Sequence, residues 1–413
     1  SHARSQTWVR EIVPKEPGMA KPELLAPAGN LAKLKCAFRF GADAVYVGGK
    51  AFSLRAFADN FTDEELAEGI SYAHARGKKV YVAANIFARN GDLPALAEHF
   101  RTLEGLGADA VLVSDLGALS VCREAAPALP VHISTQANVT NARAAAVFAA
   151  LGASRVVLAR ELSLGEIARI HAENPVLELE AFVHGAMCIS YSGRCYLSDY
   201  LDGRPANRGA CVQACRRAYR IRSEGKDGWC DLEEDGRGTY VMNSKDLNMS
   251  AHLSELAAAG VCSFNIEGTM TSEYYLATVV NAYRRILDGG WSEQLAAETE
   301  CAAHRAYTTA YAFGENHDTV LSDGSQEEGT CTFIAVVKDY REGRAFVEMR
   351  NRFREGDVLE ILSPSDAFLK SVRVEEMLDG EGRPCADASF VQGVYSFPCP
   401  YPLAEGDILR RRR

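Results

Sequence analysis

Ala44-Val-Tyr-Val-Gly48, Lys79-Val-Tyr-Val-Ala83 and Ala110-Val-Leu-Val-Ser114 are three short, continuous apolar runs, each followed by a longer stretch. In those stretches, such as Asp63–Arg76 and Leu93–Leu106, apolar residues recur at helical spacing. The rhythm extends outward on both sides. Glu23–Pro27 precedes it; Val131–Ser134, Arg155–Leu158, Leu179–Val183, Tyr240–Met242 and Ser263–Ile266 follow. Continuous apolar strands alternating with helices imply parallel strands covered on both faces. Gly41-Ala42-Asp43, Gly107-Ala108-Asp109 and Gly152-Ala153-Ser154 read as helix C-caps leading into the next strand. Of these nine candidate strands, eight would close a (β/α)8 TIM-like barrel of ~250 residues. Either Tyr240–Met242 or Ser263–Ile266 is then left outside it. The competing architecture is an open doubly wound sheet, which expects a glycine-rich phosphate loop after its first strand. Ala26-Pro27-Ala28-Gly29-Asn30 lacks that pattern, and Gly48-Gly49-Lys50-Ala51 is no Walker loop.

The chain has 413 residues, 47% hydrophobic and 24% charged, which excludes a disordered or fibrous protein. Residues 1–20 read as an N-terminal extension or cloning scar, 21–300 as the barrel, and 301–413 as a second domain. In that second domain, short β-type runs (Thr330–Val337, Arg344–Met349, Asp357–Leu362, Phe368–Val374) are separated by turns such as Glu355-Gly-Asp357, predicting a small antiparallel β-barrel. No apolar stretch approaches ~18 residues and no secretory signal is visible, so the expectation is a cytoplasmic protein without a membrane span. Net charge is −10, which by itself argues against a nucleic-acid partner.

The barrel rhythm breaks over 185–238, a stretch too long for an ordinary loop. It holds five of the 12 cysteines, and four of them, Cys188, Cys195, Cys211 and Cys215, crowd together with the spacing C-x6-C-x15-C-x3-C. Four thiolates suit an iron–sulfur cluster or a tetrahedral zinc. Zinc prefers paired knuckles of two to four residues, so the wide first spacing favours a 4Fe-4S cluster; free cysteines are the bland alternative, and Cys230 is a substitute ligand. The other cysteines read as small buried hydrophobes. Residues 185–222 also carry Arg194, Arg204, Arg208, Arg216, Arg217, Arg220 and Arg222 against Asp199 and Asp202, a local charge of +5. Tyr191, Tyr196, Tyr200 and Tyr219 are interleaved, as phosphate contact plus base stacking requires. Equally, the arginines could pair with the acidic run Glu224–Asp235 and balance the cluster's charge.

Barrel active sites gather at the C-terminal ends of the strands. The polar residues falling there are Asn85, Asp115, Gln136, Asn138, Arg160, Glu161, His184, Asn243, Lys245, Asp246 and Glu267. Together they predict a polar mouth for a small anionic substrate. Arg160 is the best anion ligand, and Glu161, Lys245 and Asp246 are candidate catalytic groups. His184 reads either as a proton donor beside the cluster or as a strand-end residue.

Phe182-Val-His-Gly-Ala-Met-Cys-Ile-Ser-Tyr-Ser-Gly-Arg-Cys-Tyr-Leu-Ser198, continued by Asn207–Arg216, resembles the signature of the collagenase-like peptidase family of unassigned catalytic type. Glu23–Asn30, Asn243–Leu247, Ile266-Glu-Gly268 and the domain 303–413 resemble it too. The resemblance implies an oxygen-independent RNA hydroxylase, most similar to the branch that makes 5-hydroxyuridine at the tRNA wobble position. It further implies a 4Fe-4S cluster on Cys188, Cys195, Cys211 and Cys215, prephenate as co-substrate, and tRNA as partner held by the Arg/Tyr insertion, with a homo-oligomer compatible. One departure stands out: Asn265, Thr269 and Thr271 occupy positions where the family usually carries lysine or arginine. The family's peptidase label is the alternative function. It would need a nucleophile, yet neither H-E-x-x-H nor G-x-S-x-G occurs, and a Cys188–His184 dyad would withdraw a cluster ligand. A zinc-stabilised binding protein is the third reading.

Overall fold

The computed structural model describes residues 21–54, 60–217, 243–268, 272–314, 319–321 and 329–413. Eight parallel strands form a closed ring: β1 (Glu23–Pro27), β2 (Ala44–Gly48), β3 (Lys79–Ala83), β4 (Ala110–Val113), β5 (Val131–Ile133), β6 (Arg155–Val157), β7 (Glu178–Ala186) and β8 (Val261–Ile266). β8 pairs with both β7 and β1, which closes the barrel. The expected α/β barrel is therefore present, with Ser263–Ile266 inside it. The other contender, Tyr240–Met242, lies outside the described residues, as do residues 1–20, Cys230 and the acidic run Glu224–Asp235.

Helices α1 (Leu31–Arg39), α2 (Asp63–His74), α3 (Leu93–Leu106), α4 (Leu116–Ala125), α5 (Ala142–Ala150) and α6 (Leu164–Glu173) follow the first six strands. Their starts are set by local chemistry. Thr62 with Glu65 and Ser163 with Glu166 form capping boxes, while Asn30, Asp115 and Asn141 accept the N-terminal N–H groups of α1, α4 and α5. Gly107 ends α3 at φ 78°, the left-handed conformation read from its sequence position. A short α7 (Leu197–Asp202) lies in the insertion, then α8 (Leu253–Ala258), α9 (Glu273–Gly289) and α10 (Glu293–Glu298) complete the set. The main core lies between strands and helices; Leu24, Val45, Val82, Val111 and Phe264 contribute to it from the sheet.

The C-terminal domain is antiparallel, a half-barrel built on one six-stranded sheet. Its strands are β9 (Cys331–Arg341), β10 (Arg344–Met349), β11 (Val358–Leu362), β12 (Ser371–Arg373), β13 (Val394–Pro398) and β14 (Ile408–Arg412), in the spatial order β12-β11-β14-β9-β10-β13. Strict in–out alternation along β10 feeds a separate core of Val347, Phe353, Leu359, Ile361 and Phe397. The domain docks through buried charge: Arg410 is fully buried and donates to Glu298 of α10 at 2.7 Å and to Glu360 at 2.8 Å.

The barrel lumen is layered. In its middle lie Leu25, Ala44, Ala110, Leu112 and Val157. Below them, at the N-terminal ends of the strands, one guanidinium gathers three carboxylates. Arg155 donates to Glu23 at 2.8 Å, Glu178 at 2.8 Å and the fully buried Glu180 at 3.2 Å. Tyr81 and Ser263 complete the shell of Glu23, and Asn265 donates to Glu180 at 2.6 Å. Asn265, at a position expected to be basic, is therefore a strut of the barrel floor. Burial works against the charge on Arg155, but Glu180 and Glu23 hold it on, well above the ordinary arginine value. Arg155→Leu leaves Glu180 buried without its cation and should cost about 3–5 kcal/mol of unfolding free energy, readable by urea denaturation monitored by circular dichroism. A loss below about 1 kcal/mol would mean the floor is not held by this charge.

Candidate functional site

At the opposite end of the barrel the C-terminal rim opens into a cavity of about 310 Å³. Its wall includes the four candidate ligands Cys188, Cys195, Cys211 and Cys215, together with Gln136, Arg160, Arg216, Asp246, Glu267, Tyr275 and Arg305.

The insertion is folded over this mouth by polar clamps. The N–H of Ser192 donates to Glu161 at 2.7 Å, its hydroxyl lies 3.0 Å from the other Glu161 oxygen, and Ser192 itself is left-handed at φ 48°. Asn207 brackets the peptide of Cys195, accepting from its N–H at 3.2 Å and donating to its carbonyl at 3.0 Å. Ser198 of α7 accepts from Val212 N–H at 3.2 Å, fixing the residue after Cys211. Arg208 reaches down to Asp92 at 2.8 Å and the Phe87 carbonyl at 2.9 Å, and holds the Asp92 carboxyl down to about 2. Gly185 closes the mouth from below at φ 103°; a Cβ there would lie 2.4 Å from the Glu267 carbonyl.

The thiols share one electrostatic environment. Burial, then the neighbouring Cys188, Cys211 and Cys195, push the Cys215 thiol up to about 11, relieved in part by Arg216. Burial also raises Cys188, opposed by Ser190 and Arg160. The N–H of Gln213 points at the Cys211 sulfur at 3.4 Å. Among the described residues no three His, Cys, Asp or Glu side chains converge on a point as ligands of a single ion do. The thiols line the wall of a volume instead. Their number and their shared cavity fit a sulfur-ligated group.

Three guanidiniums and two carboxylates complete the wall. Arg160 donates to the Ala186 carbonyl at 3.0 Å, stacks 4.0 Å from the Phe182 ring and faces Glu267 at 3.7 Å. Arg305 binds both oxygens of Asp246, by its N–H at 3.0 Å and its guanidinium at 3.4 Å. The guanidinium of Arg216 makes no such hydrogen bond or ion pair among the described residues. From the predicted polar mouth, Gln136, Arg160, Asp246 and Glu267 reach the cavity. Glu161 is the clamp on Ser192, Asn85 sits lower in the lumen, Asp115 caps α4, and Lys245, which is not on the wall, gives its N–H to Thr319. Of the arginines expected to contact RNA, Arg216 lines the cavity, Arg194 donates to the Gln136 carbonyl at 2.6 Å, and Arg217 pairs with Asp202 at 3.0 Å. Arg204 is half-buried in the same segment. Arg208 and Arg217 find aspartates other than the acidic run. Arg305 was missed because it lies in a stretch with no periodicity or motif, inside what sequence assigned to the second domain.

His184 is not on the wall. β7 carries a bulge: Asn265 faces Phe182 while Ile266 faces His184, so two residues of β7 oppose one step of β8. The bulge carries His184 away from the lumen and against α9. There its Nδ1 lies 3.1 Å from the Tyr283 hydroxyl, in a cage with Tyr275 and Tyr307. Burial, aided by His304, lowers its pKa to about 3. It is a neutral structural imidazole rather than a proton donor.

A (β/α)8 barrel with a four-thiol cavity at its C-terminal rim is the class of protein that this fold and site define. Residues 29–322 match Peptidase family U32 and residues 329–410 match the Peptidase family U32 C-terminal domain. The chain belongs to peptidase family U32. It is 38% identical to tRNA hydroxylation protein P1 of Bacillus subtilis over 406 residues, covering 95% of each chain. It is 36% identical to tRNA hydroxylation protein P of Escherichia coli, covering 89% of this chain and 92% of that one. The 23S rRNA 5-hydroxycytidine C2501 synthase of Escherichia coli is 36% identical over 82% of this chain and 52% of its own length. Among the described residues no helix is long and apolar enough to cross a membrane.

The buried imidazole has a consequence for acid stability. A histidine held near 3 in the folded state and near 6.5 when unfolded binds its proton first in the unfolded chain. Its contribution to stability is complete above pH ~6.5 and falls by about 1.4 kcal/mol per pH unit as pH drops from there toward 3. In His184→Asn, which keeps a partner for Tyr283, denaturation at pH 7, 6 and 5 should show a shallower loss than the wild type. Parallel pH profiles would count against a neutral His184.

Proposed function

We propose that this chain is an RNA-modifying enzyme that hydroxylates tRNA, forming 5-hydroxyuridine at the wobble position without molecular oxygen. The observation that carries the reading is the convergence of four thiols and three guanidiniums on one cavity at the barrel mouth, in a chain similar along nearly its whole length to tRNA hydroxylation proteins. In this reading Cys188, Cys195, Cys211 and Cys215, which line one cavity, hold a 4Fe-4S cluster, whose usual ligands are four thiolates. The cluster, when bound, supplies one-electron chemistry at the cavity wall. Prephenate is the anionic co-substrate, and the guanidiniums hold it there. Gln136 and Glu267 lie on the same wall within the barrel mouth, and the Tyr275 ring bounds it.

Outside the cavity, Tyr191, Tyr196 and Tyr200 of the insertion are exposed, with the Tyr196 and Tyr200 rings 6.4 Å apart. Exposed rings beside Arg194 and Arg204 supply stacking and phosphate contact for an anticodon loop. The peptidase reading receives no support from the one Cys–His pair that the sequence offered, since His184 is engaged by Tyr283 and not by Cys188.

Protein purified without oxygen should be brown and carry about four iron atoms per chain. Alanine at any one of the four cysteines should remove most of the iron and of the visible absorbance. A colourless, zinc-loaded wild type would sink the cluster. Mass spectrometry of tRNA nucleosides from a deletion strain should show hydroxyuridine lost and restored by the wild-type gene; unchanged hydroxyuridine would remove the tRNA assignment.

A further inference from the structure

Arg160, Arg216 and Arg305 approach the cavity from three separate parts of the chain: the end of β6, the insertion, and the segment after α10. Their partners are unequal. Arg160 has Glu267 and a carbonyl, and Arg305 occupies both oxygens of Asp246. Arg216 is half-buried; its backbone N–H donates to the Gln213 carbonyl at 3.0 Å, but among the described residues its guanidinium makes no hydrogen bond or ion pair. Two guanidiniums on the wall of one partly enclosed cavity, one of them without a hydrogen-bonded partner among the described residues, are in an arrangement that an anion stabilises.

We propose that Arg216 and Arg305 form a carboxylate clamp that holds one carboxylate of a small organic acid, with Asp246 fixing the plane of Arg305. The clamp rests on the reading that the rim takes an anionic co-substrate, and it assigns the groups that hold it. A planar guanidinium matches a planar carboxylate through two parallel N–H···O bonds. The rest of the wall suits the carbon skeleton of such an acid, since Leu54, Met187, Leu197 and Ala214 are apolar. A volume of about 310 Å³ accommodates a small acid, whereas an RNA phosphodiester enters only with the nucleosides on either side of it. The clamp residues therefore serve the small acid, and the exposed insertion serves the polynucleotide.

The test is calorimetric titration of anaerobically purified full-length protein with prephenate, with phenylpyruvate (which has one carboxylate fewer) and with inorganic phosphate. Arg216→Gln and Arg305→Gln should each weaken prephenate binding by about tenfold or more while tRNA binding by filter retention and the visible absorbance stay as in the wild type. Arg305→Lys should fail to restore it, because an ammonium cannot replace the fork. Arg169→Gln, an exposed pair with Glu173 on α6, should bind prephenate as the wild type does. Four results overturn the clamp: no binding of either acid to the wild type, tight phosphate binding in place of the acids, unchanged affinity in both glutamine variants, or loss of the visible absorbance in Arg216→Gln, which would make that residue a charge partner of the thiolates. If the glutamine variants bind prephenate normally while the wild-type gene still restores hydroxyuridine to the deletion strain, the clamp fails and the proposed function stands. If hydroxyuridine is unchanged in the deletion strain while the clamp binds prephenate, the reverse holds.

Discussion

The charge on Arg155 is the constraint on which the barrel is organised. A guanidinium buried in the lumen is tolerated only where carboxylates surround it, and the carboxylates come from β1 and β7, with β8 supplying Ser263 and Asn265. These are the strands that meet where the ring closes. A one-residue slip at that seam would turn Glu23, Glu180 or Asn265 out of the lumen and leave Arg155 unmatched, so the network opposes the register errors that an all-apolar lumen would tolerate. It also decides which end of the barrel is free for chemistry. The charges of the floor are closely paired, whereas at the rim the guanidiniums of Arg160 and Arg305 meet their carboxylates at longer range and that of Arg216 pairs with none among the described residues.

Above the rim the physics changes from packing to hydrogen bonding. Among the described residues of the insertion few large apolar side chains are buried, and Tyr191, Tyr196 and Tyr200 are exposed. What holds Cys195 and Cys211 in place is the pair of amide bonds from Asn207, the hydroxyl of Ser198 and the ion pair of Arg208 with Asp92. A segment organised in this way gains little from folding by itself. Binding of a group by its four thiolates would contribute to its stability directly, as metal binding does wherever ligands are gathered from otherwise weakly held chain.

The architecture was legible because parallel strands buried on both faces read as unbroken Val, Leu and Ala runs, and because the helices announce their ends with capping residues and left-handed glycines. The four cysteines were legible as a set for a different reason: no packing requirement explains so many in one irregular stretch. Orientation was not legible. Glu161 and Lys245 fall at strand ends like Arg160 and Asp246, yet one clamps a turn and the other is not on the cavity wall; nothing in a one-dimensional pattern tells which way a rim side chain points. His184 was displaced by a single bulge, a feature with no sequence mark here. The lumen network was hidden because Arg155 and Glu180 sit in runs otherwise read as apolar, and their pairing needs contacts across more than 100 residues for Glu23.

Arg305 links the two domains to the site. It follows α10, and α10 ends in Glu298, the buried partner of Arg410 in the last strand of the C-terminal domain. Before Arg305, Thr299 accepts from the Asn248 amide at 3.1 Å, and just after it Tyr307–Thr308 pairs in parallel with Asp246–Leu247. The short segment that presents Arg305 is thus pinned at one end by domain docking and at the other by the rim itself. Removing the counter-charge of Arg410 would leave the buried Glu298 with only the more exposed Arg412, at 3.1 Å, as counter-charge, and the strain would be carried into the segment next to the cavity. The C-terminal domain therefore has a physical role in the geometry of the barrel site, through α10 and Arg305, in addition to any contact it makes with a large substrate.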